Sequence, residues 1–148
     1  MKFDDLKKTD FDYWKQLDTR WSDMDSLGHI NHTAYLSYME SARVDVYVDL
    51  GFKGIRKDMD ESTILGSMEV HYLSQCVHPV SLDVGHRISR VGGKSFDFLA
   101  GIFLKDGKTL ICAALFKLIA FNYEKNHSIF VPKKIKSNCR PFEISKVL

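Results

Sequence analysis

The 148-residue chain predicts an α+β fold: a curled antiparallel sheet of about five strands wrapped around one long central helix. Three observations carry that expectation. A single helical segment occupies residues 31–50, strand-like segments follow one another from 62 to 122, and a further strand precedes the helix. A sheet and a helix each hide an apolar face by packing together, so the sheet must curl over the helix.

The first strand is expected near Tyr13 to Trp21, followed by a turn-rich stretch from Ser22 to His29. In the helix, Ala34, Tyr35, Tyr38, Met39, Ala42, Val46 and Leu50 recur at three- and four-residue steps, and Gly51 supplies the stop. Leu36, Val44, Tyr47 and Val48 fall elsewhere on its circumference, which predicts burial on several sides. After a polar connection, Thr63 to Leu73 reads as a strand broken by His78-Pro79. Ser81 to Val91 and Ser95 to Leu104 are joined by a Gly92-Gly93 turn, and Asp106-Gly107 turns the chain into Thr109 to Asn122. That last stretch is apolar enough for a buried helix, but its place after a turn favours a long central strand. No repeat or second domain is evident. The chain reads as one domain over 1–148, with a core at about 12–132 and a tail at 133–148.

Composition limits the function classes. Hydrophobic residues make up 45% and charged residues 27%, which excludes a disordered chain. No window is apolar enough for a membrane helix and the N-terminus lacks a secretion signal, so a soluble, cytoplasmic protein is expected. Twenty-one basic against nineteen acidic residues leave no nucleic-acid footprint. The run Lys133-Lys134-Ile135-Lys136 with Arg140 reads as a solvated end. Cys76, Cys112 and Cys139 read as free thiols, with Cys112 a buried small hydrophobe.

Chemistry concentrates between Arg20 and Arg43. Asp23, Asp25, Gly28, His29, Asn31 and His32 fall directly before the helix, whose N-terminus offers unpaired N–H groups to a developing oxyanion. Gly28 permits close backbone approach. Asp25 is placed to act as nucleophile or as general base on water, which together with those donors is the equipment of acyl transfer. The plainer alternative is a cap and a turn: Asn31 or Thr33 caps the helix while Asp23 and Ser26 shape the loop. A calcium loop fails because its fifth and twelfth positions are Leu27 and Ala34. His29 and His32 lack a third well-spaced metal ligand. Gly92 to Ser95 is no phosphate loop, since the required earlier glycine is Ile88. Arg90, Lys94 and Ser95 remain candidates for contacts to the phosphates of a cofactor-like substrate; an ordinary solvated hairpin is the alternative.

The run from Asp23 to His32, DMDSLGHINH, with Tyr35, Glu40 and Arg43 beyond it, resembles the hotdog-fold acyl-CoA thioesterases of the 4-hydroxybenzoyl-CoA thioesterase type. Residues 69–73, 90–96 and 129–132 are similar to their family counterparts too, so the resemblance covers roughly Leu17 to Pro132. It implies Asp25 as the catalytic carboxylate, with N–H groups around His32 to Tyr35 polarising the thioester carbonyl. Gly28, Asn31, His32 and Thr33 would contact substrate. His32 departs from the commonest pattern, in which a second Asn stands there.

The resemblance further implies hydrolysis of an acyl-CoA or acyl-carrier-protein thioester without metal or redox cofactor. It also implies a homodimer or homotetramer with sites between subunits. A catalytically silent acyl-ligand-binding protein of the same fold is the rival from another class. A branch of the fold uses a helix glutamate instead, but Glu40 stands three before Arg43, the spacing of an intrahelical ion pair.

Overall fold

A computed structural model describes residues 2–52 and 59–144. Its elements are β1 (Tyr13–Asp18), α1 (His32–Asp49), β2 (Ser62–Tyr72), β3 (Ser81–Val91), β4 (Ser95–Leu104), β5 (Leu110–Asn122), a two-residue β6 (His127–Ser128) and a four-residue α2 (Lys133–Lys136). The polar connection expected after α1 lies largely outside the described residues. β1 stops at Asp18 rather than Trp21 because the chain tightens into a 3-10 turn over Trp21–Asp23.

The strands pair antiparallel in the order β1-β3-β4-β5-β2, with β6 against the end of β5. The apolar run that periodicity left ambiguous is β5, an interior strand between β4 and β2. Alternation turns Val84, Phe98, Ala114, Phe116 and their same-face neighbours toward Tyr35, Met39, Ala42, Val46 and Tyr47 of α1, forming one core. Cys112 is fully buried there as a small hydrophobe.

One face of α1 is not covered. Ser37, Glu40, Ser41, Asp45 and Val48 are exposed, so the expected burial on several sides holds for Tyr47, is partial for Leu36 and Val44, and fails for Val48 within one chain. The covered side is broad, running from Tyr38 through Tyr35, Met39, Ala42 and Val46 to Arg43 and Tyr47. The expected Glu40–Arg43 ion pair is not formed either. Arg43 turns inward, buried, with its guanidinium carbon 4.7 Å from the Phe116 ring centre, and Nη1 finds no acceptor among the described residues.

The other face of the sheet is covered from both ends of the chain. Phe3, Leu6 and Phe11 pack on Leu99, Phe103, Leu110 and Ala113. Phe11 lies across Gly85 and Gly101, paired on β3 and β4; a Cβ there would come within 2.8 and 2.7 Å of its ring. The basic run near the C-terminus is not simply a solvated end. β1 reaches only to His86 along β3, and the chain beyond α2 takes the edge it leaves. Arg140 and Phe142 N–H groups donate to the Ile88 and Ser89 carbonyls at 3.0 and 3.1 Å, while Ile135 is fully buried. Arg87 fixes the segment by donating to the carbonyls of Arg140 and Pro141.

Candidate active site

The loop between β1 and α1 is tied by its own backbone. Asp25 N–H donates to the His29 carbonyl at 3.0 Å, Gly28 N–H returns to the Asp25 carbonyl, and Met24 bridges Ile30. Gly28 has φ +80 with open space where a Cβ would stand, so the turn needs glycine for backbone conformation rather than for close packing. Ile30 N–H donates to the Cys76 carbonyl at 2.8 Å, which fastens the loop to the connection before β3.

Asp25 is half-buried. Its Oδ1 accepts the Leu27 N–H at 2.9 Å, and no donor among the described residues reaches Oδ2. One oxygen is thus held while the other is open to a substrate. Six residues on, Asn31 caps α1 by accepting from both Thr33 N–H and Thr33 Oγ1. The cap falls to Asn31, not Thr33, and Thr33 N–H is spent on it. The His32 N–H has no acceptor among the described residues, leaving it as the open donor at a helix end with partial positive charge. The exposed His32 ring stands edge-on to Tyr72, whose hydroxyl donates to the His32 carbonyl at 3.2 Å.

Asp23 is buried, and its carboxylate accepts from Tyr38 Oη at 2.5 Å, from Arg20 N–H and from the Arg20 guanidinium. Burial pushes its pKa up, but these three hydrogen bonds, that from Tyr38 foremost, outweigh it and hold the carboxyl below its ordinary value. Burial and the Asp23 contact raise the Tyr38 hydroxyl. The Asp23 carbonyl accepts Asn31 N–H at 2.8 Å, so one residue spans both ends of the loop. The Asp23–Tyr38 contact joins residues fifteen apart, and no local sequence pattern marks it.

The structure brings Asp25, Gly28, Asn31, His32 and Thr33 together. It does not bring Arg90, Lys94 and Ser95 to them within one chain. Asp18, just before the loop, pairs with Ser81 at one end of β3, and Arg90 is nine residues farther along, roughly 30 Å at strand rise. Arg90 is engaged by Asp97 at 2.8 and 2.9 Å and by Ser95 Oγ at 3.0 Å, while Lys94 Nζ lies 5.3 Å from the centre of the exposed Phe130 ring. A cavity of about 680 Å³ lies beside this hairpin, between the sheet and the C-terminal segment, lined by Arg90, Val91, Leu115, Phe142 and Ile144. Among the described residues no group of three His, Cys, Asp or Glu gathers as at a metal site, and no helix is long and apolar enough to cross a membrane.

A curled antiparallel sheet cradling one long helix, with a carboxylate loop at the helix start, defines a hotdog-fold protein. The chain belongs to the thioesterase-like superfamily, whose family model matches residues 19–147. Among solved structures it is similar to the PA2801 protein of Pseudomonas aeruginosa, described as a candidate thioesterase: 28% identity, TM-score 0.76, covering 84% of this chain and 95% of that one. A thioesterase from Thermus thermophilus, complexed with coenzyme A and Zn, shares the fold at 24% identity and TM-score 0.75, covering 86% and 97% of the two chains. The DHNA-CoA thioesterase of Staphylococcus aureus does so at 21% identity and TM-score 0.69, covering 80% and 79%. The uncharacterized protein YsmA of Bacillus subtilis is 27% identical over 88 residues, 60% of this chain and 58% of that relative's length.

Proposed function

We propose that the protein hydrolyses an acyl-CoA thioester to a free acid and CoA, with Asp25 as the catalytic carboxylate. The observation that carries this is the pairing of an open Asp25 Oδ2 with the unspent His32 N–H at the start of α1. In one route Oδ2 attacks the thioester carbonyl, the C–S bond breaks, and CoA leaves as a thiolate that takes a proton from water. Water then hydrolyses the mixed anhydride. In the other, Asp25 accepts a proton from a water whose oxygen attacks, and that proton passes to the departing sulfur. Both routes place negative charge on the carbonyl oxygen, which a helix N–H stabilises. Each step draws on the chain's own groups, water and the substrate. A thioester carried on an acyl carrier protein presents the same reacting atoms.

The reading includes a homodimer. β2 is an edge strand, and along it Leu65, Met68 and Tyr72 are 43%, 50% and 46% exposed. Such an edge invites a second copy. A two-fold pairing of β2 with β2 runs antiparallel, bringing the partner's Ser62 end beside this chain's Tyr72 end. Ser62 lies at the end of the sheet that carries the Lys94 hairpin, and Tyr72 at the end that carries His32. The partner's Lys94 would then approach this chain's Asp25, placing a cation for the CoA phosphates. Because Arg90 is already engaged by Asp97, Lys94 is the stronger of the two candidates.

A panel of acyl-CoAs assayed for released thiol tests the activity, with wild type and Asp25→Ala side by side. Hydrolysis that Asp25→Ala leaves intact overturns the mechanism. Tight acyl-CoA binding without turnover points instead to the silent binder. Met68→Arg, measured by analytical ultracentrifugation, should yield a monomer; an unchanged dimer would place the interface elsewhere.

A further inference from the structure

We propose that Tyr38 is a positioning residue for this site, holding the Asp25 loop to the body of α1 through Asp23. The inference rests on the reading of Asp25 as the catalytic carboxylate. The catalytic group and the oxyanion donor lie on different elements, Asp25 in the loop and His32 N–H on the helix. Their separation is therefore only as fixed as the link between loop and helix. Backbone hydrogen bonds within the loop set its internal shape, and the Ile30–Cys76 bond fastens it toward β3. Among the described residues, the Tyr38 Oη to Asp23 bond is the one side-chain hydrogen bond from the loop to the interior of the helix.

Tyr38 is well suited to the task. It is buried on α1, edge-on to Tyr35, and so moves with the helix. Asp23 is buried as well and transmits that position in two directions: through its carbonyl to Asn31 N–H, the residue that caps α1, and two residues along the chain to Asp25. The result is a closed ring running from Tyr38 through Asp23 and Asn31 and back along the helix, with Asp25 and His32 both hung on it. Removing the phenolic oxygen opens this ring and removes no group that touches substrate.

Three variants test the anchor: Tyr38→Phe, Asp23→Ala, and Asp23→Asn, which keeps an acceptor for the Tyr38 hydroxyl. Acyl-CoA hydrolysis in Tyr38→Phe should lose about tenfold or more in kcat with little change in KM, the mark of misplacement rather than lost binding. Asp23→Asn should retain more activity than Asp23→Ala. Tyr38→Phe combined with Asp23→Ala should be no worse than Asp23→Ala alone. Hydrogen exchange supplies a readout independent of activity: Ile30 and Asn31 amides should lose protection in Tyr38→Phe while β4 and β5 amides keep theirs. Wild-type kcat in Tyr38→Phe, or a loss of kcat with Ile30 and Asn31 protection undisturbed, would overturn the anchor. Failure of the underlying reading is recognised separately, by an Asp25→Ala variant as active as wild type.

Discussion

His86 sits on β3 with no exposed surface, packed edge-on to Phe98, and neither ring nitrogen finds a hydrogen-bond partner among the described residues. Burial, reinforced by the nearby Arg43 charge, brings its pKa from the ordinary 6.5 down to about 3. A depressed histidine pKa means that the unfolded chain binds a proton below 6.5 while the folded chain declines it. The stabilisation is present above pH 6.5 and is lost as pH falls toward 3, at up to about 1.4 kcal/mol per pH unit. Between pH 7.5 and pH 4.5 this single residue should therefore cost the fold about 2–3 kcal/mol. His86→Leu removes the titrating group at similar volume and also removes a buried N–H that has no acceptor. Urea denaturation of both proteins at pH 7.5 and pH 4.5, at one protein concentration, isolates the effect. Wild type should lose about 2–3 kcal/mol more than His86→Leu over that interval. At pH 7.5 the variant should be close to wild type, because an unsatisfied polar group is exchanged for an apolar one. Equal losses for the two proteins between the two pH values would refute the reasoning.

Other parts of the structure yield equally direct expectations. Gly101→Ala places a methyl group 2.7 Å from the Phe11 ring, so Phe11 must leave its seat; a loss of about 1–3 kcal/mol is expected, with faster proteolysis of the first eleven residues. Ile135→Ala removes a fully buried side chain beneath the C-terminal segment; denaturant unfolding should show a loss of about 2–5 kcal/mol, whereas a solvated tail would show none. Asn31→Ala abolishes the helix cap and should cost about 1 kcal/mol by the same assay, with Asn31→Asp restoring most of it.

Much of the fold was legible because local rules act over a few residues. Turns at Gly92-Gly93 and Asp106-Gly107 delimit β3, β4 and β5 nearly to the residue. The three- and four-residue recurrence located α1, and the carboxylate loop before it was visible from the clustering of Asp23, Asp25, Gly28, His29, Asn31 and His32 within ten positions. Where the reading failed, a distant partner was responsible. Glu40 and Arg43 have ion-pair spacing, yet Arg43 is drawn inward over Phe116, seventy-three residues later in the chain. The lysine run around Ile135 reads as solvated until β1, which begins opposite His86, leaves an edge of β3 for the following segment. For the candidate phosphate contacts Arg90, Lys94 and Ser95, what no local pattern reveals is that Asp97 stands across from Arg90 and engages it.

By itself the sequence determined the kinds of element, their order, and a carboxylate set beside a helix start, since propensity, capping and periodicity are properties of neighbouring residues. Tertiary structure decided what those elements do to one another. It put β2 at the edge, left one face of α1 open, separated the Lys94 hairpin from Asp25, and tied Asp23 to Tyr38. The reason is physical: strand order and burial follow from which apolar faces close on each other, and that balance is struck over the whole chain rather than within any window of it.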